Sequence, residues 1–202
     1  MKRIVSCLTF VLTMLAAPAV FAVNTTYRST MSGPSEAPPN NSPGAAIATI
    51  VLDRAAMTLR FSVQLFNLVA PSTAGHLHCC TAEPLMGVAP IAIPLTDLPV
   101  GVRAGTYEHG FNLSDESTYA PAFITSHGGT VAQARDFLLA GITANESYLN
   151  VHSSRHPGGE IRGFLVELAQ PVPEPSAWLM LGVGLAGLGL HARRKAGATG
   201  AD

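Results

Sequence analysis

The chain has 202 residues, of which 48% are apolar and 12% charged, about half the charge density of an ordinary soluble domain. With a formal net charge of −1, it is not a highly charged disordered chain, and polyanion binding has no basis in its charge. Residues 23–172 hold seven arginines, no lysine and eleven acidic residues; nucleic acid is therefore not an expected partner, because phosphate binding needs a basic surface.

In chain order, Lys2 and Arg3 precede an uncharged apolar stretch, Ile4 to Ala19, which closes on Val20-Phe21-Ala22. This is the pattern of a secretory signal peptide, residues 1–22, removed by signal peptidase. A β-rich domain is expected over 23–169. Thr25 to Met31 and Ala45 to Leu52 are rich in Thr, Ile and Val and are separated by Gly/Pro/Asn turns. Met57 to Leu65 alternates apolar with polar, as a strand with one wet face does. Asp53-Arg54 before it reads as a tight hairpin connection.

Further strands are expected at Ala74–Cys79, Val88–Leu95, Gly105–Leu113, Ser147–His152 and Glu160–Leu168. Pro90 and Pro94 confine the second of these to an edge or a bulge. One helix is predicted from a capping box at Thr130-Val131-Ala132-Gln133, with Val131, Ala134, Phe137 and Leu138 on one face and Gly141 ending it. About eight short strands and one short helix predict an all-β fold, an antiparallel β-sandwich or Greek-key barrel.

After a linker at 170–176 comes an apolar segment, Ser176 to Leu190, ahead of Arg193-Arg194-Lys195. Its 15 uncharged residues would cover about 22 Å as a helix, short of the roughly 30 Å hydrocarbon core. A transmembrane helix over 177–192 with a basic cytoplasmic tail at 193–202 would place the domain outside the inner membrane, the arginines snorkelling to the cytoplasmic face.

Gly75-His76-Leu77-His78-Cys79-Cys80 is the most chemically loaded stretch. Residues two apart on a strand share a face, so His76 and His78 present both imidazoles to one side, where they could chelate copper or zinc. His152 is the best third ligand, and His156 lies just past the strand end. The competing expectation is that these histidines only bond backbone carbonyls or carboxylates. Cys79 and Cys80 could form a vicinal disulfide, remain thiols or act as soft ligands; a vicinal disulfide or a bulge is favoured, because strand neighbours point to opposite faces. Glu160 and Arg162 share a face and are expected to pair with each other or across the sheet, with a base for metal-bound water as the less favoured role of Glu160. His109 and His127 are expected in surface or turn roles. The sequence contains no nucleophile motif, phosphate-binding Gly loop or dinucleotide fingerprint, so the reading leans away from an enzyme.

Val172-Pro173-Glu174-Pro175-Ser176, the apolar segment and the basic end with Arg193 and Arg194 together resemble the PEP-CTERM sorting signal. That resemblance implies an exosortase, a membrane cysteine protease, as partner, and a Gram-negative bacterium that makes extracellular polysaccharide. Gly33-Pro34-Ser35-Glu36-Ala37-Pro38-Pro39, Gly75-His76-Leu77-His78 and Asn150-Val151-His152 through Gly159-Glu160-Ile161-Arg162-Gly163 resemble the CHRD domain, over about residues 27–168. Cys79-Cys80 stands where that family commonly has Gly-Pro, and Ala37 departs from Glu-Val-Pro-Pro. The Gly-x-His-x-His strand is also similar, over a short span, to the copper strand of Cu/Zn superoxide dismutases. The expected function is a structural, adhesive or binding component of the envelope or the polysaccharide matrix; the alternative is a copper- or zinc-binding redox or metal-handling protein.

Overall fold

The computed structural model describes residues 24–169 and 181–189. Nine strands follow in chain order: β1 (Thr25–Ser32), β2 (Ala45–Asp53), β3 (Thr58–Phe66), β4 (Ser72–His78), β5 (Ile91–Pro94), β6 (Gly105–Asn112), β7 (Tyr148–Ser153), β8 (Ile161–Phe164) and β9 (Val166–Glu167). All named pairings are antiparallel. They build one sheet in the order β5-β4-β7-β8-β1-β2-β3-β6, with β9 beside β1. The expected antiparallel all-β architecture takes the form of a sheet curled into a half-barrel. The curl brings the two edges together: Tyr107 on β6 donates its hydroxyl to the Thr96 carbonyl just beyond β5, at 2.8 Å.

Alternation sets the inner face. Leu59, Phe61, Val63 and Leu65 of β3 are buried, as are Ala46, Ala48, Ile50 and Leu52 of β2, while their neighbours face outward. The β2–β3 hairpin turns over residues 54–57, where the Asp53 carboxylate accepts from the backbone of Ala55 and Ala56. The proline-bearing β5 lies at the sheet edge, as a strand lacking ladder donors must. It is shorter than expected, and residues 88–90 lie outside it.

Among the described residues, two α-helices rather than one pack on the sheet. The added one is α1 (Pro121–Ser126), which has proline in its first turn and buries Phe123 and Ile124. The predicted helix is α2 (Val131–Thr143), and Thr130 caps it by accepting from the Gln133 backbone. Gly141 does not end α2. It lies one turn inside the end, and a Cβ there would collide with the sulfurs of Cys79 and Cys80. The left-handed residue beyond the helix is Asn145, at φ 60°. Phe137 is 43% exposed, so the buried stripe runs through Ala134, Leu138, Leu139 and Ile142 instead.

Residues 181–189 are helical, and among the described residues no helix is long and apolar enough to cross a membrane. The signal-peptide region, Pro173-Glu174-Pro175, Arg193 and Arg194 lie outside the described residues.

Candidate metal centre

On the outer side of the β4–β7–β8 part of the sheet, His76, His78, Tyr148, Asn150, His152 and Arg162 occupy positions that pair across strands. His76 faces Asn150, His78 faces Tyr148, and Asn150 faces Arg162 on its other side. Strand periodicity puts each set on one face. The antiparallel register then brings residues 76 positions apart into contact, with His76 Nδ1 3.0 Å from His152 Nε2.

The imidazoles are held by backbone carbonyls. His152 Nδ1 donates to the Pro157 carbonyl at 2.9 Å, so its Nε2 is the acceptor for His76. His78 Nδ1 donates to the Ala89 carbonyl at 2.8 Å, which leaves Nε2 as its free lone pair. That atom is buried and has no hydrogen-bond partner among the described residues. The three histidines can each offer one ligand atom such that all three atoms lie within 4.8 Å of one another. Donors on one zinc ion at about 2.0–2.1 Å would lie roughly 3.4 Å apart, so the rings would have to draw closer around a bound ion.

Electrostatics favour neutral rings. Burial, then the neighbouring His152 and His78 imidazoles, push His76 down to about 4. Burial likewise lowers His78, against the raising effect of its bond to Ala89. Neutral imidazole is the form a metal binds. A metal ion would replace the proton that His76 and His152 share, with His76 carrying its own proton on Nε2.

A further layer supports this face. Tyr148 stacks on His78 with ring centroids 4.6 Å apart and planes 4° from parallel. Its hydroxyl donates to the Ala89 carbonyl at 3.3 Å and accepts from the Ala89 backbone at 3.2 Å. The Arg162 guanidinium lies over the Tyr148 ring, 3.6 Å from its centroid, and also donates to the Gly87 carbonyl. Asn150 Nδ2 donates to the buried Glu36 carboxylate at 2.6 Å.

Glu160 and Arg162 do not pair. Glu160 is fully buried, and its Oε1 accepts from Ser42 Oγ at 2.7 Å and from the Val69 backbone at 2.6 Å. It therefore ties the N-terminal loop and the β3–β4 loop to the start of β8 and does not join the three histidines. Arg162 is drawn the other way, by Tyr148 and Gly87. His109 departs from a surface role: it is half-buried on β6 beside Phe111 and lies 3.7 Å from Asp97. His127 closes α1 by donating Nδ1 to the Phe123 carbonyl and stacks on Phe137. The sulfurs of Cys79 and Cys80 are joined in the structure and lie on α2 at Gly141, so these residues offer no thiolate to the imidazoles.

Arg162 as a partner of Tyr148, and the Glu36–Asn150 bond, went unread in the sequence. The signal available was the alternation Tyr148, Asn150, His152, which places all three on one face.

The fold and this face define an antiparallel β domain in which three motifs far apart in sequence converge: Glu36 meets Asn150, and His76 meets His152. Residues 27–165 match the family model of the CHRD domain, and the chain belongs to that family. Residues 171–195 match the PEP-CTERM protein-sorting motif, which marks the chain for export, membrane anchoring and processing by an exosortase in a Gram-negative bacterium. No curated protein and no solved structure matches the chain significantly.

Proposed function

We propose that this exported domain binds a transition metal, copper or zinc, through His76, His78 and His152. The observation that carries the proposal is the convergence of three imidazoles, two of them oriented by backbone carbonyls, around the unpartnered buried Nε2 of His78. A buried acceptor without a donor costs on the order of 1–3 kcal/mol, and a bound cation would offset that cost. The donor set is all nitrogen, which suits copper and zinc and disfavours calcium and magnesium. Metal analysis of the chain purified without a histidine tag tests this: about one equivalent of copper or zinc with raised melting is expected. No stoichiometric metal and unchanged melting on adding either ion would overturn it.

A second reading is a structural or adhesive role in the envelope or the polysaccharide matrix after exosortase processing. It is favoured by the low charge of residues 23–172, which lack lysine; the outward face of β3, for example, carries Thr58, Ser62 and Gln64 with one charge, Arg60. Such a surface suits a neutral polymer better than a charged one. Retention of the purified chain on neutral polysaccharide, but not on the charged form, is the expected result.

A further inference from the structure

Resting on the metal-binding reading above, we propose that the site selects Cu(I) over Zn(II), and that Arg162, acting through the ring of Tyr148, is the residue that sets this preference. Among the described residues no carboxylate or thiolate joins His76, His78 and His152, so the ligands are three neutral nitrogens. A divalent ion held there keeps its full double charge. Zn(II) would have to recruit a water as the fourth ligand of its tetrahedron, whereas Cu(I) accepts three nitrogens alone.

The surroundings add to that bias. His78, Tyr148 and Arg162 form a stack, ring upon ring upon guanidinium, which puts a permanent positive charge one aromatic ring away from a metal ligand. Arg162 is only 3% exposed, so water does little to screen it. Its Nε has no hydrogen-bond partner among the described residues, and its Nη2 is spent on the Gly87 carbonyl. A cation repels a double charge more than a single one, and a half-buried site magnifies the difference.

The acid that faces Arg162 is Glu36, whose carboxylate bonds the side chain of Asn150, the residue between Arg162 and His76. Among the described residues Glu36 makes no ion pair with Arg162, so the guanidinium charge is not neutralised by direct contact. The arginine thus serves two ends. It pins the loop bearing Ala89, which orients His78, and it biases the charge of the ion that His78 receives.

The experiment is a competition titration of the full chain without a histidine tag, under argon, with Cu(I) buffered by a chromophoric chelator and Zn(II) added in tenfold excess. The wild type is expected to keep one Cu(I) per chain. Arg162→Gln should lower the Cu(I)-to-Zn(II) affinity ratio at least tenfold and move the Cu(II)/Cu(I) midpoint to a more negative potential. Arg162→Lys, which keeps the charge, should retain the wild-type preference. Wild-type protein that takes Zn(II) in preference overturns the inference even if Arg162→Gln does not fold, and so do equal losses in the Gln and Lys variants. Metal binding with zinc preferred leaves the metal-binding reading standing, whereas no binding of either ion removes both.

Discussion

At the residue scale, the backbone fixes two of the three imidazoles, His78 through the Ala89 carbonyl and His152 through the Pro157 carbonyl, while His76 is tied to His152. His78 is the simplest case: its Nδ1 donates to the Ala89 carbonyl, and Nε2 is left buried without a hydrogen-bond partner among the described residues. In His78→Ala, metal added at 100-fold over its dissociation constant should no longer give the stabilisation of about 2.7 kcal/mol expected for wild type. Differential scanning calorimetry with and without metal reads that difference directly.

Glu36 carries a pH dependence of its own. Burial raises its carboxyl above the ordinary value of 4.5, opposed by the Ala37 backbone, Arg162 and Asn150. At low pH the group is neutral in both states. As pH rises through about 4.5 the unfolded chain ionises first, so stability is lost until the folded carboxyl has ionised as well. Glu36→Gln keeps an acceptor for Asn150 without that penalty, and its stability relative to wild type should grow with pH across this window. Urea midpoints at a series of pH values check the sign; a gap that shrinks with rising pH would contradict it.

At the element scale, α2 is defined by its cap and by its contact with the cysteine pair. Thr130→Ala should cost about 1 kcal/mol, since the Gln133 backbone N–H loses its acceptor. Gly141→Ala should cost about 1–3 kcal/mol, the range of an overpacked core, because both cysteine sulfurs occupy the space of the added methyl. In an exposed helix the same change would stabilise, by about 1 kcal/mol. Chemical denaturation of the two variants separates these effects. The glycine therefore marks a packing site, although its place near the helix end makes it look like a stop signal. Gly163 of β8 is a similar case: a Cβ there would run into the backbone of Thr30 on β1.

At the scale of the whole molecule, the family match covers the β domain and the sorting match covers the C-terminal stretch. Replacing Pro173-Glu174-Pro175 with alanines should abolish exosortase processing, leaving a longer mature C-terminus and shifting the chain toward the membrane fraction. Mass spectrometry of the C-terminal peptide and cell fractionation test this, and an unaltered terminus would refute it. The domain itself should still fold, because its core is drawn from residues 27–165.

Local pattern was enough for much of this protein. The alternation in Thr58–Phe66, the prolines that send Ile91–Pro94 to an edge and the Thr130 cap each act within a few residues, so each is legible in the sequence. His76 and His78 on one face follow from a period of two. What only the tertiary structure decided is who meets whom. Pairing of β4 with β7 brings His152 to His76, while the path of the loop at 87–89 settles that Arg162 turns to Tyr148 and away from Glu160. The short helix α1 exists because Phe123 and Ile124 find the core, since six residues cannot sustain a helix in water. Periodicity fixes the face a side chain takes, but partners come from register and loop path, which depend on packing between residues that are here 75 and 76 positions apart.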